Sequence, residues 1–460
     1  MKTCFTFLLA VLLLFSLSAQ NITPEVLKKI QESYKASGPD KAMINALMNN
    51  DLKSLTLDYS NSVKPDGYFK YRVKTAGITD QKNSGRCWLF ASLNVYRPQV
   101  IEKYNLSDFE FSQNYLFFYD QLEKANLFLE GILETADKPL DDRRVEWLMK
   151  NAMGDGGVWG GFANLVDKYG LVPAEIMPET KSSTDTRYMS SVLTTLLRQN
   201  ALALREAFNA KKPMAELQQM KIKMLSNIYK VLVYNLGEPP TAFKYRFIDK
   251  NKTAGEYKDY TPLSFYKETV TFNATDYIMF MDDPSREYYK LYEIQYDRNV
   301  QEGINWKYIN IPASEIKLMA IESIKSNEPM YFSCDVGKQY DKTSSTLDIK
   351  NYDYESVYGI DFSMNKKQRI QTFESGSTHG MTLVGVDVDA SEKPVKWLIE
   401  NSWGNIGFDG GHLIMTDEWF DEYMFRLVIN KKYVPAKVLD VLKQKAIMLP
   451  PWDPMFMEDK

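Results

Sequence analysis

The chain of 460 residues contains two histidines, His379 and His412, and three cysteines, Cys4, Cys87 and Cys334. That scarcity constrains what the chain can fold into. Attack on an amide carbon needs a thiolate, and an unperturbed thiol is mostly protonated at neutral pH, so a cysteine nucleophile needs an imidazole beside it. If Cys87 is such a nucleophile, the fold must carry it from the first fifth of the chain to a histidine in the last fifth. His379, in Ser377-Thr378-His379-Gly380, has a companion at short range, Asn401 in Glu400-Asn401-Ser402-Trp403-Gly404. A side-chain oxygen there fixes the orientation of an imidazole ring.

The surroundings of Cys87 suit this role. The polar run Gln81-Lys82-Asn83-Ser84-Gly85-Arg86 precedes it, and the apolar run Trp88 to Tyr96 follows. The pattern predicts a loop entering a buried helix with Cys87 at its N-terminus. Unpaired N–H groups and the helix dipole favour negative charge there, which promotes the thiolate. Gln81, six residues earlier, can donate its amide to a carbonyl oxygen and, with the Cys87 N–H, form an oxyanion hole. Loss of one such donor costs about 2.7–4 kcal/mol of transition-state stabilisation. On the other side, Thr378 to Val386 predicts a loop leading into a buried strand, and Lys396 to Glu400 a second strand ending at Asn401. Antiparallel pairing of the two would set Asn401 beside His379. His412 opens a further strand and is read as a surface or packing residue. Two histidines at unrelated positions make no metal-ligand cluster, so neither a metal nor another cofactor is expected.

Hydrophobic residues make up 44% and charged residues 25% of the sequence, values of a globular protein. At 460 residues the chain predicts two or three compact units. A net charge of −4 offers no general attraction for nucleic acid, and none is expected as a partner. The first 19 residues read as a leader: Lys2, an apolar run from Phe5 to Leu17, then small residues suited to cleavage. The run falls short of the roughly 20 residues that span a bilayer. The expectation is export, to the periplasm or the medium, with no membrane anchor after cleavage. Without the leader, Cys87 and Cys334 remain, too few for a disulfide framework. Cys334, in the strand-like run Met330-Tyr331-Phe332-Ser333-Cys334, reads as a small buried core residue.

Gly85-Arg86-Cys87-Trp88 and Glu400-Asn401-Ser402-Trp403-Gly404 resemble the nucleophile and asparagine motifs of papain-like cysteine peptidases. The bleomycin hydrolase / aminopeptidase C branch is the closer resemblance. Its signal runs through Phe109 to Phe118, Asp155-Gly156-Gly157-Val158-Trp159, Tyr169 to Pro173, Cys334 to Lys338, Met415 to Phe420 and Pro450-Pro451-Trp452-Asp453-Pro454-Met455. The implied fold is α+β, a two-lobed core with a helical lobe and a β-barrel-like lobe. His379 follows Cys87 by 292 residues and Asn401 by 314, against about 130–150 in simple papain-like enzymes. A large helical and strand insertion, hook-like, is therefore expected at 182–301. Within it, Arg187 to Leu236 reads as a helical pair broken near Lys211-Lys212-Pro213. It would separate an N-terminal arm and helical catalytic lobe at 20–181 from a β-rich lobe at 302–437, with a tail at 438–460.

The resemblance implies a thiol aminopeptidase acting on peptides through Cys87, His379, Asn401 and Gln81. Gly156 and Gly157 would form the backbone edge that binds substrate, since glycine permits close main-chain approach. In this family the C-terminal tail lies in the cleft, and its carboxylate meets the substrate's α-ammonium. Here that carboxylate would belong to Lys460, aimed by the stiff Pro450-Pro451-Trp452-Asp453-Pro454. The family also implies a homohexamer with inward-facing sites. An endopeptidase or dipeptidyl peptidase on the same fold, or a non-catalytic scaffold, is the competing reading.

Overall fold

The structure, a computed structural model, describes residues 21–61, 65–75, 77–270 and 273–454. The expected leader at 1–19 and Lys460 lie outside the described residues.

A twelve-stranded, mostly antiparallel sheet organises the C-terminal half. At its centre, Met424–Asn430, Met330–Cys334, His379–Val388 and Pro394–Glu400 lie side by side. Most of their residues are buried, because the sheet is covered on both faces. The alternation of side chains divides them between two cores. Tyr331 and Val428 join the helical core, while Met330, Phe332, Leu427 and Ile429 face the second core with Ile316, Ala320 and Phe420.

The first core belongs to a helical lobe. Its centre is the helix Cys87–Lys103, in which every residue from Cys87 to Arg97 is buried. Such a helix shows no amphipathic stripe because it has no solvent face over that stretch. Gln113–Glu134 and Trp159–Tyr169 pack against it, and the pair Arg187–Asn209 and Met214–Leu236 packs on Gln113–Glu134. That pair breaks where the sequence predicts it. Lys211 takes a left-handed conformation (φ 59°), the N–H groups of Lys211 and Lys212 bond back to Phe208 and Ala207, and Pro213 stops the helix.

The stretch 182–301 does not form one body. Its helical pair packs on the helical lobe, whereas Tyr277–Met281 and Lys290–Ile294 are strands of the large sheet, paired with Met424–Asn430 and Lys307–Asn310. Strand-prone aromatic residues in the second half of this stretch complete the sheet rather than a separate unit.

Where helix meets sheet, the approach is unusually close. A Cβ on Gly380 would lie 3.1 Å from the Tyr331 hydroxyl and 3.3 Å from the Trp88 Cα, so glycine eases the contact of the first turn of the Cys87 helix with the His379 strand. Thr382 Oγ1 donates to the Ala91 carbonyl at 3.2 Å one turn later.

Arg86, directly before the helix, is fully buried and binds Glu179 through two hydrogen bonds of 2.9 and 2.7 Å. Its guanidinium also lies over the rings of Phe90 and Phe117. Removing one partner of such a pair strands the other charge in the interior. Glu179→Ala is expected to destabilise the fold by about 3 kcal/mol, a low value for a buried pair because Glu179 keeps some contact with water. The shift of the urea midpoint at unchanged slope measures it.

Candidate active site

Cys87 is the first residue of its helix, and its side chain is almost wholly buried. The Gly380 N–H is directed at its Sγ, 3.4 Å away. The backbone register behind this contact comes from the sheet: His379 stands opposite Cys334, and Thr382 opposite Glu400 on the asparagine strand. Asn401 follows that strand directly, as the sequence predicts.

His379 Nε2 and Asn401 Oδ1 are 2.8 Å apart. The same Oδ1 accepts the Ser402 N–H at 2.8 Å. A backbone N–H can only donate, so the atom facing it is the amide oxygen, and the His379 nitrogen bonded to that oxygen carries hydrogen. The neutral ring therefore keeps its lone pair on Nδ1, the nitrogen left for proton exchange. Trp403 stacks on the imidazole with centroids 4.8 Å apart and planes 26° from parallel.

Burial pushes the His379 pKa down to about 4, against the opposing pull of the Asn401 bond. An imidazolium here needs a neighbouring anion. Cys87, whose Sγ receives the N–H of the residue after His379, is the group placed to supply one.

Gln81 is held from both sides. Its Nε2 donates to the Ser84 carbonyl at 2.7 Å, and its Oε1 accepts from Ser402 Oγ at 2.7 Å. The amide retains a second N–H for another acceptor. Backbone bonds from Gln81 N–H to the Ser402 carbonyl (2.9 Å) and from Gly404 N–H to the Thr79 carbonyl (3.1 Å) tie the two loops together. Sequence reasoning assigned no role to Ser402, Trp403 or Gly380, although all three lie in the quoted segments. Their spacing from Asn401 and His379 was the available signal.

The Asp155 to Gly157 segment runs alongside. The Asp155 carboxylate accepts the Gly85 N–H at 2.8 Å, and its carbonyl accepts Trp88 Nε1 at 2.8 Å. The Gly156 carbonyl accepts Lys124 Nζ at 2.5 Å. A Cβ on Gly157 would lie 2.6 Å from the Trp88 indole, so the indole fills the place of a side chain. The Gly157 N–H and carbonyl have no hydrogen-bond partner among the described residues. Of the two glycines, Gly157 offers the open pairing groups.

Residues Pro450 to Pro454 are anchored by an Arg286–Asp453 ion pair and by Arg143 over the Trp452 ring at 4.4 Å. A methyl group placed on Gly376 would sit 3.8 Å from the Pro454 carbonyl oxygen. The chain thus reaches the loop three residues before His379.

His412 is buried, with Nδ1 3.3 Å from the Asp409 carbonyl. It is a packing residue and not a surface one. Cys334 is also buried, and both Cys87 and Cys334 are free thiols. No cluster of three or more metal-ligating side chains occurs among the described residues.

Residues 21–456 match the Peptidase C1-like family. The chain is 36% identical to aminopeptidase C of Lactobacillus delbrueckii subsp. lactis, over 89% of this chain and 92% of that protein. It is 39% identical to bleomycin hydrolase of Mus musculus, over 89% and 93%. The crystal structure of PepW from Lactobacillus rhamnosis HN001 superposes with a TM-score of 0.91 at 36% identity, covering 95% of this chain and 99% of that one. This chain belongs to the Peptidase C1-like family. Within it, the relatives define the bleomycin hydrolase / aminopeptidase C group, and the chain is a papain-like cysteine aminopeptidase. The mixed α+β fold expected from the motifs is the fold of that group.

With two histidines in the chain, imidazole NMR signals can be assigned by a single substitution. In Cys87→Ala the thiolate is gone and burial alone acts, so His379 should stay neutral down to about pH 5. In the intact enzyme the ion pair should hold it protonated well above that. Equal titration of His379 in both proteins would show that thiol and imidazole are not coupled.

Proposed function

We propose that Cys87, His379, Asn401 and Gln81 carry out peptide hydrolysis from the amino end through an acyl-enzyme. The proximity of the Cys87 helix terminus and a buried His379 oriented by Asn401 is the observation that carries this reading. The thiolate attacks the scissile carbonyl carbon, and the carbonyl electron pair moves to oxygen. The Cys87 N–H and the second Gln81 N–H receive that oxyanion. His379 in its protonated form gives its proton to the departing amine as the C–N bond breaks. It then takes a proton from water, whose oxygen attacks the thioester and releases the acid and the thiolate. Asn401 keeps the ring in one tautomer throughout.

Exopeptidase specificity is assigned to the tail. Support comes from the anchoring of Trp452 and Asp453 and from the approach of Pro454 to Gly376. The six residues beyond Pro454 can carry the terminal carboxylate of Lys460 towards a substrate α-ammonium, a charge-assisted contact that selects free amino ends. Gly157 provides the extended edge for backbone pairing. Export follows the same proposal, on the leader at 1–19. So does assembly into a homo-oligomer, with the family's hexamer as the expected form. The first two helices, Pro24–Ser33 and Gly38–Asn49, bury no residue in the single chain, which supports a partner copy.

Cys87→Ala is expected to fold normally and to lose peptidase activity by at least 10³-fold, the scale on which nucleophilic catalysis is lost. Fluorogenic dipeptide substrates with free or acetylated amino ends, tested on the full mature chain and on a chain ending at Pro454, examine the tail. Cleavage of free-amine substrates alone by the full chain, with blocked ones accepted after truncation, is the expected result. Equal cleavage of both by the full chain would give an endopeptidase and remove the tail from the mechanism.

A further inference from the structure

Lys124 does not belong to the catalytic group, yet it contacts the substrate edge directly. It lies on the long helix Gln113–Glu134, and its ammonium donates to the carbonyls of Gly154 (3.1 Å) and Gly156 (2.5 Å). It also stands 5.5 Å from the centroid of the Trp88 ring, next to the nucleophile. Behind it, fully buried Asp120 forms an ion pair with it at 2.8 Å. Asp120 in turn accepts from Asn299 Nδ2 at 3.0 Å and Gln121 Nε2 at 3.1 Å, and Gln121 Nε2 makes a second bond to the Gly154 carbonyl at 2.9 Å.

Three successive carbonyls of the edge are thereby fixed. Gly154 and Gly156 are held by Lys124, and Asp155 is held by the Trp88 indole. With the two glycines on one side of it and Gly154 before it, this segment has little stiffness of its own. A cation that fixes alternate carbonyls sets the direction of the remaining pair of polar groups, the N–H and carbonyl of Gly157. Burial opposes the ionised form of Asp120, and the Lys124 ammonium beside it opposes that effect.

We propose that Lys124, held by Asp120, is a positioning residue that fixes the Gly154–Gly157 edge in the orientation that receives a peptide backbone. The inference rests on the reading of Gly157 as the substrate edge. It assigns to Lys124 an effect on substrate binding and none on the reactivity of the thiolate.

Lys124→Met alone leaves Asp120 buried without its cation and can unfold for that reason. The test therefore uses the Asp120→Asn/Lys124→Met double variant, in which the buried charges are removed as a pair, together with Lys124→Arg. Each protein is assayed for kcat and KM on a free-amine peptide substrate and for the rate at which iodoacetamide alkylates Cys87. Iodoacetamide is too small to need the edge and reports the thiolate–imidazole pair alone. The expected result for the double variant is a KM raised about tenfold, alkylation within twofold of the wild-type rate, and partial recovery of KM in Lys124→Arg, whose guanidinium can still reach two acceptors. An unchanged KM in the double variant overturns the proposal. So does a parallel fall in alkylation rate and kcat, which would make the pair a general structural support. A wild-type chain that alkylates normally but shows no peptidase activity would instead overturn the functional reading on which the proposal stands.

Discussion

The contact between the start of the Cys87 helix and the start of the His379 strand is the constraint on which the site depends. At Gly380 the two backbones approach so closely that a methyl group would meet the Trp88 main chain. This one approach has three consequences. It brings the Gly380 N–H to the Cys87 sulfur, places His379 at the helix N-terminus, and seats Trp88 where its indole supports Gly157 and bonds Asp155. Cys87, His379 and the Asp155 to Gly157 segment are thus all referenced to the first turn of one buried helix. A helix buried on every side is a rigid reference, because its side chains have packing neighbours in every direction.

Burial also sets the electrostatics. A histidine without water is a poor cation, and only a nearby anion makes it one. Trp403 covers the His379–Asn401 pair, and the Asn401 oxygen is fixed by its own next backbone N–H. Asparagine serves here where a carboxylate would pin a second charge. A neutral acceptor orients the ring without adding a charge beside it.

Much of this was legible in the sequence. The helix at Cys87, the strands ending at Asn401 and beginning at His379, and the broken helical pair near Lys211 all followed from local patterns of apolar and breaker residues. Those patterns report local conformation and burial, and so they placed Cys87, His379 and Asn401 at the ends of their elements. They did not report partners. Ser402 contacting Gln81, Trp403 stacking on His379 and Lys124 holding Gly156 are long-range relations between residues whose own neighbourhoods look ordinary. Likewise, the strands at 277–281 and 290–294 read as local strands in either setting, and only pairing assigned them to the large sheet. His412 looked like either a surface or a packing residue because one histidine at a strand start carries no burial signal of its own.

The long separation of Cys87 from His379 costs the site little, and the reason is physical. Loop closure grows only logarithmically with length, and the intervening chain is folded on its own cores. What the site requires is that the links between its two halves come from residues flanking the motifs. The loop at Thr79 to Gln81 bonds the one at Ser402 to Gly404, and Gly380 bonds Cys87. Farther along the Cys87 helix, Arg97 reaches Glu400, buried one residue before Asn401, at 3.9 Å. Burial pushes Glu400 up to about 7, and the Arg97 guanidinium opposes that shift, so the charge of this link depends on Arg97 staying beside the carboxyl. Each link joins a residue within ten positions of Cys87 to one within three of His379 or Asn401.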